Sequence, residues 1–143
     1  MPINAAETPI IAVVIFALWT AILAFAVPIW RMVLVMSGQA RTTDFTPGDA
    51  HGSPAYWRLN RAHANCVENL VVFAALAVCG LAAGISDTNF GVACFIILIA
   101  RLLQSSVHIV SGSGAAVGVR FAAFAIQCIG YLVIGAMTLA RVL

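Results

Sequence analysis

Residues 61–69 of this chain read Arg61-Ala62-His63-Ala64-Asn65-Cys66-Val67-Glu68-Asn69. An apolar run that continues to Ala83 follows them. Arg61, Asn65 and Glu68 are spaced i, i+4 and i+7, which places them on one face of a helix. A charge at the centre of a membrane-spanning helix costs roughly 2.5–3.5 kcal/mol even on lenient scales, so such charges are usually functional. The pattern therefore predicts a polar site on an otherwise apolar helix.

A second polar stripe lies in another apolar segment. Its members are spaced i, i+3, i+4 and i+7, and they are Arg101, Gln104, Ser105 and His108. Because both stripes and Arg120 are expected at one depth on the same side of a membrane, we predict a shared cationic pocket whose single acid is Glu68. Such a pocket suits a small ligand with several carboxylates and one ammonium group, since arginine binds carboxylates with forked donors. Asn65 can both donate to and accept from a peptide bond.

The composition argues for a membrane protein. Of the 143 residues, 63% are hydrophobic and 8% are charged, whereas about 25% charged residues are usual in soluble domains. The chain contains no lysine, which argues against a nucleic-acid-binding surface. We therefore predict an integral membrane protein with a single domain over residues 1–143.

Four apolar segments are long enough to cross a bilayer, which needs about 20 residues. We predict helices over about 9–36, 54–83, 87–110 and 116–141, which form an all-α four-helix bundle. Thr8, Ser53 and Asp87 are the expected N-caps of the first three helices. Gly84 is expected to end the second helix. A polar connection over residues 37–53 joins the first two helices.

The arginines predict how the helices are oriented. Six of the seven lie towards the side that carries the connections between helices 1 and 2 and between helices 3 and 4, and only Arg141 lies towards the other side. The positive-inside rule then places both connections in the cytoplasm, with Trp30 and Arg31 at the membrane boundary. The acidic Glu7, and no basic residue before the first apolar run, predict a retained first helix instead of a cleaved signal peptide.

Simpler interpretations of the polar residues stay open at this point. Arg61 and Glu68 can form a structural ion pair, with Asn65 joining neighbouring helices by hydrogen bonds. His108 can be an ordinary side chain near a helix end, and Arg120 can be a topology anchor at the membrane boundary. Under these interpretations the polar stripes stabilise the fold and bind nothing.

The four cysteines, all within apolar segments, show no CxxC spacing. We interpret them as free thiols that fill apolar space. His63, Cys66 and Glu68 are a mixed trio without the spacing of a known metal site, so no metal ion is predicted.

The stretch 61–69 resembles the helix-2 signature of the membrane-associated proteins in eicosanoid and glutathione metabolism (MAPEG), which is Arg-Ala-(His or Gln)-x-Asn-x-x-Glu. Every fixed position of that signature is matched here. Further similarity lies in Gly38-Gln39-Ala40-Arg41, in Ala100-Arg101 and at Arg120. The resemblance covers nearly the whole chain and is strongest to prokaryotic-type members related to microsomal glutathione transferases, which implies a bacterial inner membrane.

The resemblance implies a homotrimer that binds glutathione between neighbouring protomers and contacts membrane lipids. The residues expected to hold glutathione are Arg41, Arg61, His63, Asn65, Glu68, Arg101 and Gln104. Arg120 is implied to stabilise the glutathione thiolate, and His108 is the competing candidate as a general base. The implied function is a glutathione transferase or peroxidase that acts on a lipophilic electrophile or hydroperoxide. The alternative is a non-catalytic scaffold or lipid-binding trimer with the same fold.

The chain departs from the animal members of this family at several positions. Gln104 stands where tyrosine or histidine is common, and His108 and Asn69 stand where tyrosine occurs. Phe121 replaces the serine that follows the arginine of the prostaglandin-forming member, and the segment between His108 and Arg120 is longer. No eicosanoid substrate is indicated, and the second substrate is left open.

Overall fold

The computed structural model describes residues 7–46 and 52–143. It contains four long helices, which are α1 (Thr8–Met36), α2 (Pro54–Ala82), α3 (Thr88–Val110) and α4 (Gly114–Val142). A short 3₁₀ helix, Thr42–Asp44, follows α1. The predicted all-α architecture is confirmed for the described residues, which contain no strand. Residues 47–51 of the predicted 37–53 connection lie outside them.

Each of the four helices is long enough and apolar enough to cross a membrane. They contain 29, 29, 23 and 29 residues, whereas a span needs about 20. Much of their apolar surface faces outward, because only 17% of the most apolar stretch of α4 is buried. Large exposed apolar side chains include Phe25, Met36, Phe121 and Leu132. An exposed apolar surface of this extent must be buried against lipid or against other protein.

Most helix ends follow local signals in the sequence. The Ser53 hydroxyl accepts the backbone N–H of Tyr56 at 3.2 Å, and the Asp87 carboxylate accepts that of Phe90 at 2.9 Å. Both predicted caps are therefore confirmed. Gly84, with φ of +78°, follows the C-terminal end of α2 in the left-handed conformation that glycine adopts without strain.

Two helix starts differ from the sequence prediction. Thr8 is the first residue of α1 instead of its N-cap, and the cap residue Glu7 makes no side-chain capping hydrogen bond. Proline in the first turn favours this start, because its fixed φ suits a helix and its missing N–H leaves one donor fewer to cap. Helix α4 begins at Gly114 and not near residue 116, because the Ser113 hydroxyl accepts the backbone N–H of Ala116 at 3.3 Å.

Helix α3 contacts all three other helices, and glycines allow two of these contacts to be close. A Cβ atom added to Gly130 of α4 would lie 2.5 Å from Cγ1 of Ile97 on α3. The ring of Phe90 on α3 occupies the space beside Gly80 of α2 in the same way. A larger residue at either glycine would push the helices apart. These contacts set the rotation of α2, α3 and α4 and so determine which side chains face one another.

Candidate functional site

Two adjoining cavities lie between α2, α3 and α4. The first, of about 220 Å³, is lined by Asn65, Glu68, Asn69, Arg101, Gln104 and Phe124. The second, of about 290 Å³, is lined by Asn65, Gln104, His108, Val117, Arg120, Phe121 and Phe124. Asn65, Gln104 and Phe124 line both cavities. The fold thus gathers six residues of the predicted site, which are Asn65, Glu68, Arg101, Gln104, His108 and Arg120.

Arg101 is the deepest charged residue of the first cavity. Its exposed fraction is only 1%, and its Cζ atom lies 5.6 Å from the centre of the Phe16 ring. Two of its nitrogens, Nε and Nη2, are buried without a hydrogen-bond partner among the described residues. A buried donor without a partner costs roughly 1–3 kcal/mol, and more when it belongs to a charged group. The Arg101 guanidinium therefore favours an anionic group in this cavity.

Glu68 lines the same cavity and is exposed. The predicted alternative, a structural ion pair between Arg61 and Glu68, is absent, because the ion pair found within residues 7–46 and 52–143 joins Arg41 and Asp44. The Glu68 carboxylate thus has no cationic partner in that part of the chain. A cavity with a buried cation and an unpaired acid can accept a ligand that carries both charges.

Asn69 completes the α2 side of the first cavity and is held in place by two hydrogen bonds. Its amide nitrogen donates to the backbone carbonyl of Asn65 at 2.9 Å, and its amide oxygen accepts from the Tyr131 hydroxyl at 3.4 Å. The first bond lies within α2, and the second ties the polar face of α2 to α4. Asn69 therefore forms part of the cavity wall and is less free than Asn65 to bind a ligand.

The second cavity brings Arg120 and His108 together. Helix α3 ends at Val110 and α4 begins at Gly114, so the connection between them is short. Because α4 begins at Gly114 and not near residue 116, Arg120 lies about two turns into the helix instead of about one turn. His108 lies in the electrostatic field of Arg58, Arg61 and Arg120. This cationic surrounding favours a negatively charged ligand group beside both candidates for thiol activation.

Three predicted site residues line neither cavity. Arg61 is exposed on α2, and His63 is half-buried on the same helix. Arg41 is exposed, and its Nε lies 3.5 Å from a carboxylate oxygen of Asp44. The backbone N–H of Arg41, which donates to Asp44 at 2.8 Å, and the charge of the Arg41 guanidinium lower the pKa of the Asp44 carboxyl. The roles of Arg41, Arg61 and His63 stay predictions.

The sequence-based interpretation missed Gln127, which is fully buried on α4. Its amide nitrogen donates to the side-chain oxygen of Gln104 at 3.0 Å and to the backbone carbonyl of Ala123 at 2.9 Å. The periodicity of α4 contains the signal, because Arg120, Gln127 and Tyr131 are spaced i, i+7 and i+11 and share a helix face. This third polar stripe supports the site from the α4 side.

The cysteines and a possible metal site are the other groups considered from the sequence, and no cysteine lines either cavity. Cys66 and Cys94 are buried free thiols, which fits their interpretation as apolar fillers. Among residues 7–46 and 52–143, no three His, Cys, Asp or Glu side chains are grouped so that they could hold a metal ion. The chemistry of the cavities is therefore that of arginine, amide, carboxylate and imidazole groups.

Comparison with protein families supports the resemblance seen in the helix-2 signature. The MAPEG family model matches residues 9–140, which include nearly all of the four helices and every residue that lines the two cavities. A comparison with curated protein sequences gives no match. Because the family model covers nearly the whole chain, this protein belongs to the MAPEG family.

Proposed function

We propose that this protein is a glutathione-dependent membrane transferase or peroxidase. The observation that carries the proposal is the buried Arg101 guanidinium, which has two nitrogens without a described partner and lines the same cavity as the unpaired Glu68. Glutathione has two carboxylates, one ammonium group, two peptide bonds and a thiol. Its charges therefore complement the side chains of the two cavities, and membership of a family that includes glutathione transferases and peroxidases agrees with that match.

Each part of glutathione has a proposed partner. Arg101 binds a carboxylate, and Glu68 binds the ammonium group. The amides of Asn65 and Gln104, which line both cavities, bind the peptide portion between them. The thiol then lies in the second cavity beside Arg120, whose charge stabilises the thiolate.

We propose that the site is completed in a homotrimer, where Arg41, Arg61 and His63 contribute from the protomer boundary. None of the three lines either of the two cavities, and Arg41 and Arg61 are exposed. We also propose that the α1–α2 and α3–α4 connections face the cytoplasm of a bacterial cell, because the arginines concentrate on that side. Glutathione then enters from the cytoplasm and the lipophilic substrate from the membrane.

The proposed chemistry starts from the glutathione thiolate. Its sulfur attacks an electrophilic carbon, a C–S bond forms, and the leaving group departs with its electron pair. With a hydroperoxide, the sulfur attacks the terminal oxygen and the O–O bond breaks. The alkoxide takes a proton to become an alcohol, and a second glutathione converts the sulfenic acid into a disulfide and water.

Ultraviolet detection of thiolate tests the proposed function. Purified protein mixed with millimolar glutathione at neutral pH is expected to show rapid thiolate absorbance, because the cationic cavity favours the ionised thiol. S-methylglutathione, which has no thiol to ionise, should bind without that signal. If neither thiolate formation nor calorimetric binding occurs, the enzyme hypothesis is wrong and the non-catalytic scaffold or lipid-binding trimer is favoured. A screen of electrophiles and hydroperoxides then identifies the second substrate.

Gln127 offers a test of how the peptide portion is bound. The carbonyl of Ala123 can only accept a hydrogen bond, so it holds the amide nitrogen of Gln127 towards itself and towards the Gln104 oxygen. The Gln104 amide nitrogen is then left to donate into the cavities. Gln127→Glu reverses this pattern, because a carboxylate accepts and does not donate.

We expect Gln127→Glu to weaken glutathione binding about tenfold, which corresponds to about 1.4 kcal/mol, and Gln127→Met to weaken it less. Calorimetric titration of each variant measures the affinity. Asn60→Asp is the control, because it makes the same amide-to-carboxylate change at another side chain of the bundle, and Asn60 lines neither cavity. Equal losses in the Gln127→Glu and Asn60→Asp variants would mean that Gln127 serves the fold and does not orient Gln104.

A further inference from the structure

A third cavity, of about 370 Å³, lies at the end of α1 and shares no lining residue with the two cavities of the proposed glutathione site. We call it the Arg31 pocket, and its lining residues are Arg31, Met32, Val35, Met36, Thr42 and Phe45. Arg31 is the single charged residue in this lining. The pocket therefore combines one cation with mainly apolar walls.

The Arg31 guanidinium is held in a defined position. Its Nε donates to the Tyr56 hydroxyl at 2.5 Å, and its Cζ lies 5.3 Å from the centre of the Phe45 ring and 5.8 Å from that of Tyr56. Trp30 packs edge-on against Tyr56, with ring centres 6.1 Å apart. The two terminal nitrogens of Arg31 have no hydrogen-bond or ion-pair partner among residues 7–46 and 52–143. A pre-positioned guanidinium loses less conformational freedom when it binds an anion.

The pocket lies near the C-terminal end of a helix that is long enough and apolar enough to cross a membrane. Arg31 precedes the end of α1 by five residues, which corresponds to about 7–8 Å along the helix axis. Towards the middle of the helix, α1 exposes Phe25 and Ile29 with exposed fractions of 68% and 54%. Met32 and Met36 continue this apolar surface into the pocket at 55% and 80%. The Arg31 guanidinium thus lies at one end of an exposed apolar strip on α1.

We propose that the Arg31 pocket binds an anionic phospholipid, with the phosphate on the terminal nitrogens of Arg31 and an acyl chain along the exposed face of α1. A free phosphate ion satisfies the charge but leaves Met32 and Met36 uncovered. A zwitterionic lipid covers the methionines but offers no net charge to a lone arginine. An anionic lipid satisfies both parts of the pocket, since a cationic side chain near a membrane surface is attracted to anionic lipid and the apolar walls favour the chain.

Native mass spectrometry of the full chain tests this proposal, after purification with a mixture of phosphatidylglycerol and phosphatidylcholine. The wild-type protein is expected to retain phosphatidylglycerol preferentially, and Arg31→Gln to retain about fivefold to tenfold less of it, from the loss of charge-assisted hydrogen bonds. The matched control is Arg141→Gln, which removes an arginine from the opposite end of the bundle and should retain the wild-type preference.

A second variant keeps the test decisive if Arg31→Gln folds poorly. Met36→Glu alters an exposed side chain at the mouth of the pocket, so the fold should tolerate it, and its negative charge should repel phosphatidylglycerol but not phosphatidylcholine. Three outcomes would overturn the proposal. They are equal losses in Arg31→Gln and Arg141→Gln, displacement of the lipid by millimolar inorganic phosphate, or a changed subunit number in Arg31→Gln, which would assign the pocket to a contact between copies of this chain.

Discussion

Arg101→Met is expected to abolish glutathione binding and, at the same time, to stabilise the ligand-free protein. In the ligand-free protein the two buried, unpaired nitrogens of Arg101 cost together roughly 2–6 kcal/mol. The contact with the Phe16 ring offsets about 2 kcal/mol of this. Methionine fills a similar volume without polar groups, so we expect the free energy of unfolding to rise by about 1–3 kcal/mol. Loss of the carboxylate partner should weaken glutathione binding at least about 100-fold, or roughly 2.7 kcal/mol.

Thermal unfolding with and without glutathione measures both effects of Arg101→Met. Wild-type protein should gain stability on addition of glutathione, whereas the variant should start from a higher midpoint and gain nothing. Arg120→Met is the control for stability, because Arg120 is only half-buried and should give no such increase. A variant that is less stable and still binds glutathione would show that Arg101 is a structural residue and that its unpaired nitrogens do not face a ligand.

Arg120→Ala is expected to slow turnover while changing glutathione affinity much less. A free thiol has a pKa of about 8.5, and stabilisation of its thiolate by about 2.7 kcal/mol would lower that pKa to about 6.5. At pH 7 roughly three-quarters of such a thiol is ionised, but only about 3% of an unperturbed one. We therefore expect a rate loss of about 25-fold near pH 7. The loss should shrink as the pH rises through the pKa of the unperturbed thiol, because the thiolate then forms without help.

The pH–rate profiles of Arg120→Ala and His108→Phe distinguish the two candidates that share the second cavity. If Arg120 stabilises the thiolate, Arg120→Ala shifts the profile to higher pH and His108→Phe leaves its position nearly unchanged. If His108 is the general base, His108→Phe abolishes the thiolate signal and Arg120→Ala retains it. The second result would contradict our assignment. Arg141→Ala is the matched control for loss of one positive charge, because Arg141 lies at the far end of α4.

The sequence predicted much of the fold because the signals for it are local. Apolar runs of about 20 residues predict spans whatever their neighbours are. Ser53 and Asp87 cap helices through hydrogen bonds that reach only three residues along the chain. The Arg61–Asn69 stretch identified the family through residue types and spacing. Where two local signals competed, as between Thr8 and the proline that follows it, the predicted start was displaced by one residue.

The candidate site was predicted only in part, because its composition depends on how whole helices are rotated. The i, i+4, i+7 pattern grouped Arg61 with Asn65 and Glu68, yet Arg61 lines neither cavity within one protomer. Gln127 was missed because it contacts a residue 23 positions away, and nothing local marks that partner. The i, i+7 spacing of Arg61 and Glu68 also left a structural ion pair open, and the described residues contain no such pair.

By itself, the sequence determined four membrane-length helices, most of their ends and the family, because hydrophobicity, capping and motif spacing act within a few residues. Tertiary structure alone decided that Arg101 is buried with unpaired nitrogens, that Gln127 donates a hydrogen bond to Gln104 and that Arg120 and His108 line one cavity. The physical reason is that rotation and depth are set where helices touch. For example, Gly130 has no side chain, so Ile97 of α3 packs closely against α4 at this point. Such contacts between residues far apart in the chain have no local signature in the sequence.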